Sequence, residues 1–169
     1  MKEIIKDVVI AAIIAIIVIQ FIRPTVVKES SMEATLFENN YIFLNKQAYT
    51  FGEPKRGDII VFHSSLTRED GSEKLLIKRI IGLPGDTVKV SDNCVYLNGA
   101  LLHEDYIKEQ GVVPGDVEVT VPEGELFVMG DNRRVSIDSR YEEVGCVKID
   151  DVVGKAFFRL FPFRDIGKL

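Results

Sequence analysis

Leu75-Leu76-Ile77-Lys78-Arg79-Ile80-Ile81, followed at once by Gly82-Leu83-Pro84-Gly85-Asp86, reads as a strand running into a turn. The run is rich in isoleucine and leucine and has no helical period, which favours extended chain. Glycine and proline then stop it. Side chains alternate along a strand, so Leu76, Lys78 and Ile80 share one face and Leu75, Ile77, Arg79 and Ile81 the other. One ammonium between two large aliphatics is a candidate for a desolvated lysine, although a lysine on a strand more often reaches water.

The same grammar extends outward. Tyr41–Asn45 and Ile59–Phe62 are strand-like, with Glu53-Pro54-Lys55-Arg56-Gly57-Asp58 as the turn before the second. Leu66–Lys74 is polar and contains Asp70-Gly71, the mark of a loop or hairpin tip. Thr87–Val90, Cys94–Leu97, Ala100–Leu102, Val117–Val121, Leu126–Met129 and Val152–Leu160 complete the set. Asn98-Gly99 predicts a type I′ turn. Short strands at close spacing, without repeats, predict a mainly β fold: a compact, bent antiparallel domain.

One stretch breaks the pattern. Val8–Ile22 (VVIAAIIAIIVIQFI) carries no charge. A helix apolar on every face must be buried all round, in protein or in lipid. A span needs about 20 residues, so Ile4 and Ile5 extend the run while Lys6 snorkels to the interface. Arg23-Pro24 ends it. The residues that follow offer no small-residue pair of the kind a signal-peptide cut requires. Residues 1–23 are therefore expected to be a membrane anchor in the lipid bilayer and 24–169 the β domain. Lys2 and Lys6 before the span balance Arg23 and Lys28 after it, so charge leaves the orientation undecided.

A length of 169 residues suits one domain plus one appendage. A net charge of −5 argues against nucleic acid as a partner. Cys94, Cys146, His63 and His103 are scattered, so no zinc site is expected. The cysteines read as partly buried free thiols, with a disulfide between them left open. Phe157, Phe158, Phe161 and Phe163 are expected to fill the β core, with contact to the bilayer interface as the alternative.

Three segments carry candidate chemistry. They are Ser30-Ser31-Met32-Glu33-Ala34-Thr35-Leu36, the Lys78–Asp86 run, and Gly130-Asp131-Asn132-Arg133-Arg134-Val135-Ser136-Ile137-Asp138-Ser139-Arg140. A serine hydroxyl is a poor nucleophile until a base takes its proton. Neither histidine sits in a motif suited to that, but a lysine whose pKa is lowered by apolar burial can serve. Taken in order behind an N-terminal span, the three segments resemble the signature boxes of bacterial type I signal peptidases. Lys55–Phe62 and Gly145–Lys155 resemble further parts of that family, so the likeness covers nearly the whole chain.

The resemblance implies a serine endopeptidase that removes signal peptides from secreted preproteins, with no metal or cofactor. It implies a single-pass protein of the cytoplasmic membrane with an extracytoplasmic catalytic domain. Ser31 matches the nucleophile and Lys78 the general base. Ser136 matches the hydroxyl that hydrogen-bonds and orients the lysine. Asp138 with Arg140, and Arg79 with Asp131, match two supporting ion pairs, which on an ordinary surface would be worth only about 0–1 kcal/mol. Ser30 and Ser139 match no catalytic role.

Two positions depart from the family pattern. Ala34 stands where proline is common. Glu29 stands two residues before the nucleophile, where serine or glycine often helps form the oxyanion hole. A carboxylate there would oppose a developing oxyanion, so Glu29 is expected to point away and leave backbone N–H donors, including that of Ser31. Two other readings of the chain are a repressor-type Ser–Lys autoprotease, which would carry a DNA-binding region in place of the span, and a catalytically silent anchored β module.

Overall fold

The computed structural model describes residues 2–68 and 70–169. Helix α1 (Lys2–Phe21) holds 20 residues; at about 1.5 Å per residue it is about 30 Å long, the thickness of a bilayer's hydrocarbon core. None of its apolar window is buried against the rest of the chain. A helix this apolar and this exposed is long and apolar enough to cross a membrane.

The helix stops at Phe21, slightly short of the expected limit. Ile22 and Arg23, expected within the anchor, already belong to strand β1 (Ile22–Val26) and pair with Asn45 and Leu44. Pro24 explains this, because it pushes the preceding residue into extended geometry. The expected strands follow, with β3 running past Phe62 and both β3 and β4 reaching into the Leu66–Lys74 stretch expected as a loop: β2 (Tyr41–Asn45), β3 (Ile59–Thr67), β4 (Glu73–Gly82), β5 (Thr87–Ser91), β6 (Cys94–Leu97), β7 (Ala100–Leu101), β8 (Val117–Thr120), β9 (Glu125–Met129) and β11 (Val152–Phe161). Two short strands, β10 (Val147–Lys148) and β12 (Gly167–Lys168), were not foreseen. Their two-residue length carries no readable period.

All strand pairings are antiparallel. The larger sheet runs β1-β2-β11-β3-β4-β9-β10, with β12 added on β11; the smaller runs β7-β6-β5-β8. Asn98 and Gly99 take φ of 52° and 81°, the left-handed pair that a type I′ turn between β6 and β7 requires. The large sheet is buried on both faces. From β3, Ile59 and Val61 enter one core with Val27, Met32 and Leu36, while Ile60 and Phe62 enter another with Leu76, Ile80 and Val128. A third core lies where β9 meets the small sheet, around Val88, Val90, Phe127 and Met129.

Among the described residues, two of the open strand edges flank the chain on either side of Ser31 and Lys78. Strand β1 pairs only with β2. Strand β4 pairs with β3 from Glu73 to Arg79, but β9 covers its other edge only from Arg79 onward. The first part of β4 therefore presents free backbone groups on that side.

Cys94 and Cys146 are free thiols. Burial pushes the Cys146 thiol up to about 11, so it stays protonated and unreactive near neutrality. The late aromatics divide. Phe157 and Phe158 flank Phe43 in stacked pairs, whereas Phe161 and Phe163 are exposed and meet edge to face at 5.5 Å. A chain beginning at Ile22 keeps β1 and is expected in the soluble fraction, while the full chain should require detergent. Any remaining binding of the shortened chain to liposomes should largely disappear in the Phe161→Ser, Phe163→Ser double variant, measured by vesicle co-sedimentation.

Candidate active site

Ser31 sits on a 3₁₀ turn, Ser30–Met32, just after β1. The turn is fixed from below: Met32 and Leu36 are buried in the first core, and the Leu36 N–H donates to the Met32 carbonyl at 2.8 Å. It is fixed from above by Asn132, whose N–H donates to the Ser31 carbonyl at 3.0 Å and whose Nδ2 donates to the Ser30 carbonyl at 3.1 Å.

Lys78 comes from the middle of β4. Its neighbours on that face, Leu76 and Ile80, are buried, and Lys78 itself is only 1% exposed. Its Nζ donates to Ser31 Oγ at 2.8 Å. Ser31 is also buried. Burial pushes the ammonium down to about 8; the charges of Asp138 and Glu29 act the other way, and those of Lys74 and Arg140 add to the fall. A lysine in this state loses its proton far more readily than one in water.

The loop after β9 closes over the pair. Asp138 Oδ2 accepts from the Gly130 N–H at 3.0 Å, and Arg140 grips the same carboxylate through two bonds of 2.8 and 3.0 Å. Arg140 also donates to the carbonyls of Pro114, Arg133 and Ser136. Arg79, on the β4 face opposite Lys78, forks onto Asp131 at 2.9 and 2.7 Å. These pairs are not surface pairs, since Asp131 and Asp138 are fully buried. Removing one partner of a buried pair strands a charge and costs about 3–5 kcal/mol.

Ser136 differs from expectation. It is buried beside the site, but its Oγ has no hydrogen-bond partner among the described residues. The Lys78 bond goes to Ser31 instead. Ser136 packs on Gly130, and the packing is tight: a Cβ on Gly130 would lie 2.3 Å from Ser136 Oγ and 2.4 Å from the Ser31 carbonyl oxygen. Only glycine lets the loop approach both serines at once. Ser139 instead serves the fold, its Oγ accepting from the Val128 N–H at 2.9 Å. Glu29 turns to Lys74, with 2.6 Å between Oε1 and Nζ.

Five contributors carried no expected role. Asn132 and Gly130 were visible only as letters of a box. Thr35 donates to Asp131 Oδ2 at 2.5 Å. Glu104 forms a buried two-bond pair with Arg133, whose Nε also donates to the Gly130 carbonyl at 2.9 Å. Nothing in the His103-Glu104-Asp105 stretch signals this burial except the aromatic next to it, Tyr106, whose hydroxyl donates to Glu104 at 2.6 Å.

The model of the family described as "Signal peptidase, peptidase S26" matches residues 1–161. The chain belongs to this family. Among curated signal peptidases, the signal peptidase I of Bacillus licheniformis is 40% identical over 178 residues, covering 98% of this chain and 91% of that one. Signal peptidase I U of Bacillus subtilis (strain 168) is 39% identical, covering 93% of this chain and 85% of that one. The crystal structure of a signal peptidase I from Enterococcus faecalis V583 is 39% identical with a TM-score of 0.50, covering 61% of this chain and 96% of that one. The elements carrying Ser31, Lys78 and the Gly130–Arg140 loop all lie inside the stretch that the signal peptidase family model matches.

Two outcomes follow from this geometry. Gly130→Ala should lower kcat/KM about 10²-fold by shifting the Ser31 turn. The chain should still fold, at a cost of about 1–3 kcal/mol for overpacking; an unchanged rate would show that the contact is dispensable. Lys78→Met bears on stability. The folded pKa of about 8 lies below the ordinary 10.5, so between these values the unfolded chain binds more protons and stability rises with pH. The cost of the buried ammonium is full below pH 8 and is lost as pH climbs through 10.5. Lys78→Met should therefore raise the Tm most below pH 8, with the gain fading at alkaline pH in thermal melts.

Proposed function

We propose that this chain is a membrane-anchored serine endopeptidase that removes signal peptides from preproteins, with Ser31 as nucleophile and Lys78 as general base. The observation that carries the reading is the 2.8 Å bond between Lys78 Nζ and Ser31 Oγ, made where water is excluded. Hydroxyl and base are already within proton-transfer distance. Family membership supports the same reaction class. Residues 1–21 act as the anchor, and the β domain works on the extracytoplasmic side.

The substrate has a place to lie. A cavity of about 350 Å³ runs between the open edges of β1 and β4, lined by Val26, Val27, Val61, Leu75 and Ile77 among others. An extended peptide entering it gains main-chain hydrogen bonds from both edges. The aliphatic walls favour small apolar side chains at the first and third residues before the cut. Glu29 and Ile77 both line the cavity, the first two residues before Ser31 and the second directly before Lys78.

In the first step neutral Lys78 takes the Ser31 proton as Oγ bonds to the scissile carbonyl carbon. The negative charge passes to the carbonyl oxygen, where backbone N–H groups including that of Ser31 receive it. The Lys78 ammonium returns its proton to the leaving amine as the C–N bond breaks, leaving an acyl-enzyme. Lys78 then takes a proton from water, whose oxygen attacks the ester, and gives it back to Ser31 Oγ as the acid leaves. Asp138–Arg140 and Arg79–Asp131 act as supports that hold the loop and β4 in place. Ser136, buried against Gly130, acts through the packing of the loop on Ser31 rather than through a bond to the base.

Ser31→Ala and Lys78→Ala should each remove nearly all cleavage of a preprotein, and the double variant should be scarcely worse than either. Ser30→Ala should keep most activity, and Ser136→Ala should fall in between. The kcat/KM profile of the wild type should rise with pH through about 8, as Lys78 sheds its proton. An active Ser31→Ala enzyme in gel-shift assays of preprotein processing would overturn the assignment.

A further inference from the structure

The rim of the cavity is not neutral. Arg23, Lys28, Arg68 and Lys74 line it against a single carboxylate, Glu29. Lys74 holds that carboxylate at 2.6 Å. Arg68 lies near Asp70 in the β3–β4 hairpin tip and contributes to holding that carboxyl below its ordinary range. Arg23 and Lys28 form no ion pair among the described residues. A chain whose net charge is −5 thus carries an excess of positive charge along this groove.

Resting on the peptidase reading above, we infer that the rim selects substrates bearing a carboxylate a few residues before the cut and rejects those bearing a cation there. The selecting residues are Lys28 and Lys74, with Glu29 as an internal competitor. Lys74 precedes Lys78 on β4, and four residues of strand span about 13 Å. A substrate strand laid along β4 from the scissile carbonyl therefore brings its fourth or fifth residue before the cut opposite Lys74. A carboxylate there replaces Glu29 as the partner of Lys74 and also meets the unpaired Lys28. A substrate lysine at that point meets like charge and gains only a carboxylate that is already bound. The aliphatic floor reads the small side chains, and the charged rim reads the residues that project out of the groove.

The test uses the full chain in non-ionic detergent and a peptide series with alanine at the first and third residues before the cut. The fourth and fifth residues are varied as Asp, Asn or Lys. The Asp peptides should show kcat/KM about five- to tenfold above the Lys peptides, mostly through KM, with Asn between them. The ratio should collapse towards one at about 1 M salt, where the Debye length is about 3 Å. It should also collapse in the Lys28→Gln, Lys74→Gln double variant, and it should grow in Glu29→Gln, which frees Lys74. Equal rates across the wild-type series, with the Asn peptides cleaved, would overturn the charge selection and leave the peptidase reading intact. A ratio that survives loss of both lysines would overturn their role. No cleavage of any peptide in the series would remove the peptidase reading itself.

Discussion

A buried lysine keeps a lowered pKa only where no free carboxylate lies beside it. Lys78 is buried among Leu76, Ile80 and their neighbours, and burial weakens its hold on its proton. Yet its surroundings are rich in acid. Each of the buried acids near the site is taken by an arginine through two bonds: Asp138 by Arg140, Asp131 by Arg79, Glu104 by Arg133. A fork of this kind uses both oxygens and fixes the carboxylate plane. The acids thereby gain partners that cannot lose their charge, and among the described residues the Lys78 amine bonds to Ser31 alone.

The same pairs carry mechanical load. Arg79 and Lys78 are adjacent in β4, so they point to opposite faces. One holds the strand to the Gly130–Arg140 loop through Asp131, and the other meets Ser31. Asn132, next to Asp131, then clamps the Ser31 turn by its main chain and side chain. Lys78, Ser31 and the closing loop are thus fixed to one another through a few residues rather than through the whole sheet. The catalytic spacing is set locally, while the cores on either side supply the dryness.

Much of this was legible in the residues. Period-two alternation located β4 and put Lys78 on an aliphatic face, because that rule is local to the strand. Val8–Ile22 was legible as an anchor for the same reason, although Pro24 ended it sooner than expected by starting β1. The ordered boxes carried Ser31, Ser136 and both arginine–aspartate pairs through family resemblance. What stayed hidden depends on distant partners. Nothing near Glu104 in sequence announces Arg133, and nothing near Ser30 announces Asn132. The open edges of β1 and β4 were also invisible, since they are defined by where other strands stop. Ser136 was misjudged in detail: its place in the loop was readable, but its hydrogen bonding was not.

The junction between α1 and β1 has a further meaning. No residue separates the last turn of the helix from the first of the strand. The Lys46 N–H donates to the Phe21 carbonyl at 2.8 Å, pinning the junction to the chain just after β2. The anchor therefore leads straight into one wall of the groove, with no slack between membrane and blade. Even fully extended, the chain from Phe21 to Ser31 reaches only about 35 Å. The end of the helix and the Ser31 turn are therefore tethered: wherever the helix ends, Ser31 stays within that reach of it.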